Sequence, residues 1–149
     1  NVLTAGSAVD SFIGELTEEL ERISADTSEP VSVKKGFHQN YKKEMVSPGD
    51  KGMITIEIKE LERIEVQVFQ ENAGAALPDI NSEYAGYMLV GNRFGSLPIG
   101  STLDRRWGIF YWQPGPGFIG EYRLVFIKRG ETGSTSKKYI NVKIVPLMR

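Results

Sequence analysis

The chain carries one histidine, His38, inside the polar run Gly36-Phe-His-Gln-Asn40. A hydrolytic triad, a zinc centre with two imidazole ligands or a metalloprotease helix would each need partners for it that the sequence does not hold. Cysteine is absent, which removes thiolate metal sites, a cysteine nucleophile and a disulfide framework together. Glu60 and Glu62 stand one residue apart, and on a strand that spacing puts both carboxylates on one face, the crude geometry of a glycosidase pair. They fall in the charged run Lys59-Glu-Leu-Glu-Arg63, where a solvated turn is the better reading. The glycine-rich Gln113-Pro-Gly-Pro-Gly-Phe-Ile-Gly120 lacks the Lys-Ser or Lys-Thr of a phosphate loop and precedes a strand-like run, and its prolines remove amide donors. No catalytic residue, cofactor or metal ligand is expected from these residues.

The elements that would position any site change character at Pro30. From Val9 to Ile23 the apolar residues Val9, Phe12, Ile13, Leu16, Leu20 and Ile23 recur every three or four positions, with Glu15, Glu18, Glu19 and Glu21 on the other side. This spacing predicts an amphipathic helix. The polar stretch Ser24 to Pro30 reads as a linker. Beyond it, Val31-Ser-Val33, Met53 to Ile58 and Ile64 to Val68 alternate with period two. Further short apolar runs follow at Tyr87–Val90, Ile109–Trp112, Tyr122–Ile127 and Tyr139–Ile144, parted by Gly, Pro, Asp or Ser clusters. About seven short strands with no helical run between them favour an antiparallel β-sandwich, with a closed barrel as the alternative. The division expected is a helix and linker over 1–29 and a sandwich over 30–149.

The 149 residues include 18 basic and 19 acidic side chains, a net charge of -1. That balance leaves no electrostatic footprint for nucleic acid or an anionic membrane. No apolar run approaches the roughly 20 residues that span a bilayer. The start at Asn1, without the basic and apolar regions of a signal peptide, is read as that of a piece processed or excised from something larger.

Three motifs stand in order: Leu97-Pro98-Ile-Gly100-Ser-Thr-Leu103-Asp104, then Gly108-Ile-Phe110-Tyr-Trp112-Gln-Pro114, then Gly120-Glu-Tyr122 leading into alternating apolar residues. They resemble the immunoglobulin-like and cadherin-like repeats of bacterial surface proteins, including the dystroglycan-type cadherin domains. The resemblance covers Leu97 to about Val145 and implies an all-β immunoglobulin-like or cadherin-like sandwich with the helix appended. Gly100 and Gly108 can adopt positive φ where the chain reverses, and Pro98 fixes φ before the first turn. Phe110 and Trp112 share a strand face, which the resemblance turns toward the core, while Pro114 stops the strand. The chain departs from calcium-binding cadherins, because Leu103-Asp104-Arg105 is followed by Arg106 and the linker carboxylates that complete those sites are missing.

The resemblance implies a non-catalytic structural or adhesion module, a spacer or protein-interaction domain of a larger exported protein. Its location would be extracellular, at the cell surface or periplasmic. Its partners would be neighbouring domains of the same polypeptide and a protein or glycan ligand, with no nucleic acid and no direct membrane insertion. The alternative is a carbohydrate-binding module accessory to a secreted enzyme. Trp107, Tyr111 and Phe118 are the candidate surface aromatics for that role, with Tyr84, Tyr87 and Phe94 as further ones read in loops or at outward strand positions.

Overall fold

The computed structural model describes residues 17–130 and 132–148. Its strands are β1 (Val31–Phe37), β2 (Asn40–Val46), β3 (Ile54–Lys59), β4 (Arg63–Gln67), β5 (Glu83–Val90), β6 (Arg93–Gly95), β7 (Thr102–Asp104), β8 (Ile109–Trp112), β9 (Gly120–Arg129) and β10 (Thr135–Val145). They form two five-stranded sheets, ordered β2-β1-β4-β8-β7 and β3-β10-β9-β5-β6. One pair departs from the antiparallel pattern. β3 and β10 run parallel, from Ile140 opposite Ile54 to Val145 opposite Lys59. Parallel neighbours need a long connection, and here most of the domain lies between the two strands.

Side-chain alternation explains why the sheets face each other. In β3, Ile54, Ile56 and Ile58 are buried while Thr55, Glu57 and Lys59 are exposed. The same period places Val31 and Val33, Ile64 and Val66, Phe110 and Trp112, Leu124 and Phe126, and Ile140, Val142 and Ile144 in one core between the sheets. Aromatic edges close that core. Phe110 meets Phe126 at 5.3 Å, and Trp112 receives Tyr122 at 5.1 Å and Phe118 at 6.0 Å, all close to edge-on. Gly86 is required where β5 passes Phe126, since a Cβ there would come within 2.9 Å of the ring.

The second sheet is apolar on its outer face as well. Tyr87, Leu89, Phe94, Val125, Ile127 and Tyr139 form this face, and Leu20 and Ile23 cover it. Residues 17–22 are helical, and the earlier part of the expected helix, from Val9, lies outside the described residues. Lys137 Nζ donates to the Leu20 carbonyl at 2.8 Å, which satisfies an acceptor that the end of a helix leaves open. The chain then runs along the edge of β10. Ala25 bridges Lys137 in parallel, with Lys137 N donating to Ser24 O at 3.0 Å and Asp26 N donating to Lys137 O at 2.7 Å.

From there the chain crosses to β1 over a polar joint. The Asp26 carboxylate accepts the Ser28 and Glu29 amides at 3.0 and 3.1 Å. Burial alone would raise its pKa, and these two bonds with the charge of Lys138 hold it below the usual aspartate value. Lys138 takes the inward phase of β10 and is only 1% exposed. Its ammonium donates to Val68 O at 2.8 Å and to Glu29 Oε1 at 3.1 Å, and lies 5.0 Å over the Phe69 ring. Glu29 Oε1 also accepts the Gln70 amide at 2.8 Å.

Trp112 is 1% exposed and Tyr111, on the opposite face of the same strand, is half-buried. Trp112→Ala should cost about 3–5 kcal/mol by urea unfolding, as expected for an aromatic cut from a core. Tyr111→Ala should cost much less, and equal losses would mean that the two faces of β8 are equivalent.

Candidate binding face

The motif residues are spent on architecture. Leu97 packs against the core, Pro98 is buried, and its carbonyl accepts the Ser101 amide at 3.0 Å across the turn where Gly100 has φ 85°. Leu103 joins the core from β7. Asp104 closes its own turn, with Oδ1 accepting the Arg106 and Trp107 amides at 3.0 and 3.1 Å. Gly108, at φ 70°, donates to the Asp104 carbonyl at 2.8 Å and lies against Tyr84, whose ring a Cβ would meet at 3.1 Å. Phe110 and Trp112 are core residues, and buried Pro114 accepts the Leu61 amide at 2.9 Å. Gly120 begins β9 at φ 140°, two residues before Tyr122 joins Trp112. Among the described residues no three His, Cys, Asp or Glu side chains gather as a metal site would require.

The structure corrects the set of surface aromatics. Tyr84 is 1% exposed and lies in the core, because β5 places Tyr84 and Met88 on its inner face. Tyr87 and Phe94 do face outward from their sheet, but that face is covered by Leu20 and Ile23. Phe118 is half-buried against Trp112. Trp107 is half-buried in the turn before β8, its carbonyl accepting Gln67 Nε2 at 2.9 Å. Tyr111 is half-buried as well, on the outer face of β8.

That outer face belongs to the sheet that carries no helical cover among the described residues. The register places Tyr41 opposite Gly36 and Gly36 opposite Arg63, so the three share one row across β2, β1 and β4. The next row runs Lys43, Lys34, Glu65, Tyr111 and Thr102. The Arg63 guanidinium lies 5.9 Å from the Tyr41 ring and 5.9 Å from the Tyr111 ring. Its ion pair with Glu65 is long, at 3.4 Å. Burial, followed by the charges of Glu65 and Asp104, raises the Tyr111 hydroxyl above the usual tyrosine value, against the opposing charge of Arg63. A cavity of about 410 Å³ beside Tyr41 and Arg63 is lined by His38, Leu61 and Gln113 with Phe37 and Leu147. The larger space, of about 600 Å³, lies beside Arg105 and Asn81.

Sequence reasoning missed Tyr41, Arg63, Lys34 and Lys43 as neighbours. The available signal was the near-symmetry of Lys34-Lys35 and Lys42-Lys43 about His38-Gln39, the spacing of a tight hairpin. No family model matches this chain, and a search of curated proteins returns no match.

A polar cluster at the opposite end of the sandwich is structural. Tyr84 donates its hydroxyl to Glu71 Oε1 at 2.6 Å, and Lys128 Nζ lies 3.0 Å from the same oxygen. Burial and the bond to Glu71 push the Tyr84 hydroxyl well above the usual tyrosine value. For Glu71 burial acts upward, but the bonds from Tyr84, its own amide and Lys128 outweigh it, so its carboxyl is held below the ordinary value of 4.5. A depressed acid stabilises the fold at pH above its unfolded value, and this stabilisation disappears as pH falls through the folded value. Glu71→Gln should therefore lose stability against the parent at pH 7 and approach it near pH 3. Urea midpoints compared across that range check this, and a gap that widens in acid would contradict it.

Proposed function

We propose that the chain is a non-catalytic module of a larger exported protein, an immunoglobulin-like or cadherin-like sandwich that serves as a spacer or protein-interaction unit. The observation that carries this reading is that the residues of the resemblance are spent inside the fold: Leu97, Leu103, Phe110 and Trp112 pack in the core, and Asp104 closes its own turn. Neighbouring domains of the same polypeptide are the partners this reading implies. Its residues with family resemblance build turns and core, which suits a structural role at the cell surface, outside the cell or in the periplasm.

A second reading, a carbohydrate-binding module, is favoured by one observation: the two tyrosine rings that flank Arg63 on the outer face of the β2-β1-β4-β8-β7 sheet. Pyranose rings stack their C–H faces on such platforms, while planar polar groups bond their hydroxyls.

Three copies joined in series test the spacer reading by small-angle scattering. The maximum dimension should grow nearly in proportion to copy number. A compact particle, with copies folded back on one another, would count against it.

A further inference from the structure

We propose that the outer face of the β2-β1-β4-β8-β7 sheet binds an acidic polysaccharide, its carboxylate-bearing pyranose rings laid over Tyr41, Arg63 and Tyr111. This rests on the carbohydrate-binding reading and adds to it a site and a class of ligand.

The first ground is shape. Gly36 separates Tyr41 from Arg63 in their row, and having no side chain it lets the guanidinium close to 5.9 Å from the Tyr41 ring over a buried backbone, so that Tyr41, Arg63 and Tyr111 form one continuous platform. Tyr41 is 41% exposed, so its ring is open to a ligand. A recess of about 410 Å³ borders Tyr41 and Arg63 and is lined also by His38 and Gln113, whose planar polar groups can meet ring hydroxyls. His38 itself sits at φ 56° in the two-residue turn between Phe37 and Asn40, a conformation that such hairpins use.

The second ground is charge. Lys34 and Lys43 are direct cross-strand partners, and like charges placed so are destabilising. Neither has an ion pair among the described residues. Glu65, across from Lys34 in β4, is engaged by Arg63 instead. An anion over the hairpin would relieve the opposed ammonium groups, and the Arg63 fork suits a carboxylate.

Stacking rings beside basic groups also serve single-stranded nucleic acid. The face argues for a glycan, because Glu65 stands between Lys34 and Tyr111 in their row. A continuous line of backbone phosphates would be repelled there, whereas sugar hydroxyls can donate to that carboxylate.

Native gels cast with polygalacturonate, alginate or hyaluronan test the proposal on the whole chain. Fully methyl-esterified polygalacturonate supplies the same rings without charge, and polyglutamate and oligothymidylate supply charge without sugar. At least one acidic polysaccharide should retard the chain, and the controls should not. Tyr111→Ala and the pair Lys34→Gln with Lys43→Gln should each weaken that retardation by about fivefold or more, as expected for a lost stacking or charged contact. Lys51→Gln, in the turn before β3, should leave it unchanged, with urea midpoints establishing that every variant is folded. Equal retardation by the esterified polymer would overturn the acidic class while leaving carbohydrate binding in place. Equal retardation by polyglutamate or oligothymidylate would overturn the proposal in favour of charge alone or nucleic acid. If no polymer retards the chain, both the site and the carbohydrate reading fall, and the spacer reading is untouched.

Discussion

Strand β9 is apolar on both faces, and much of the molecule follows from that. Leu124 and Phe126 point into the space between the sheets, while Val125 and Ile127 point the other way. Apolar side chains gain roughly 1.5–3 kcal/mol each from full burial, so a sheet centred on such a strand needs cover on both sides. The partner sheet supplies one cover. Leu20 and Ile23, reaching over from the N-terminal side, supply the other. The helical segment is thus part of the packing of the second sheet.

Bringing that segment over the sheet and then across to β1 exposes backbone and charge, which the joint has to satisfy. Lys137 and Lys138 divide the task by strand phase. Lys137 faces outward and bonds the Leu20 carbonyl, and Lys138 faces inward and binds Glu29 and Val68 O. A buried ammonium is costly unless paired and hydrogen-bonded. Glu29, with its side chain 34% exposed, lets the pair keep partial contact with water while fixing the linker to the core end. Glu71, Tyr84 and Lys128 form a second closed polar group on this side.

The two sheets therefore differ in what their outer faces can do. One is covered by the chain itself. The other carries tyrosine, arginine and lysine on strands whose inner residues already satisfy the core, so its outward residues are under little folding constraint. Tyr111 shows the contrast with Trp112 directly. Adjacent on β8, one ring is enclosed by Phe110, Phe118 and Tyr122, and the other lies beside Arg63.

Local pattern was enough for the all-β character, the main strands and the shared face of Phe110 and Trp112, because period-two alternation is a property of neighbouring residues; that this face turns inward was implied by the resemblance alone. It was enough also for Asp104, which bonds amides two and three residues on. The short strands β6 and β7 left no such signal, having only three residues each, and β2, all but Val46 exposed, lacks a buried set to mark its period. Tyr84 was misplaced because it takes the inner phase of β5; Tyr87 and Phe94 do face outward, but whether an outward aromatic is free depends on what lies over it, and here that is a segment some sixty or more residues earlier in the chain. The grouping of Tyr41, Arg63 and Tyr111 likewise depends on the order β2-β1-β4-β8. Strand order is set by how two whole sheets bury their faces together, so only the tertiary structure could bring these residues to one surface.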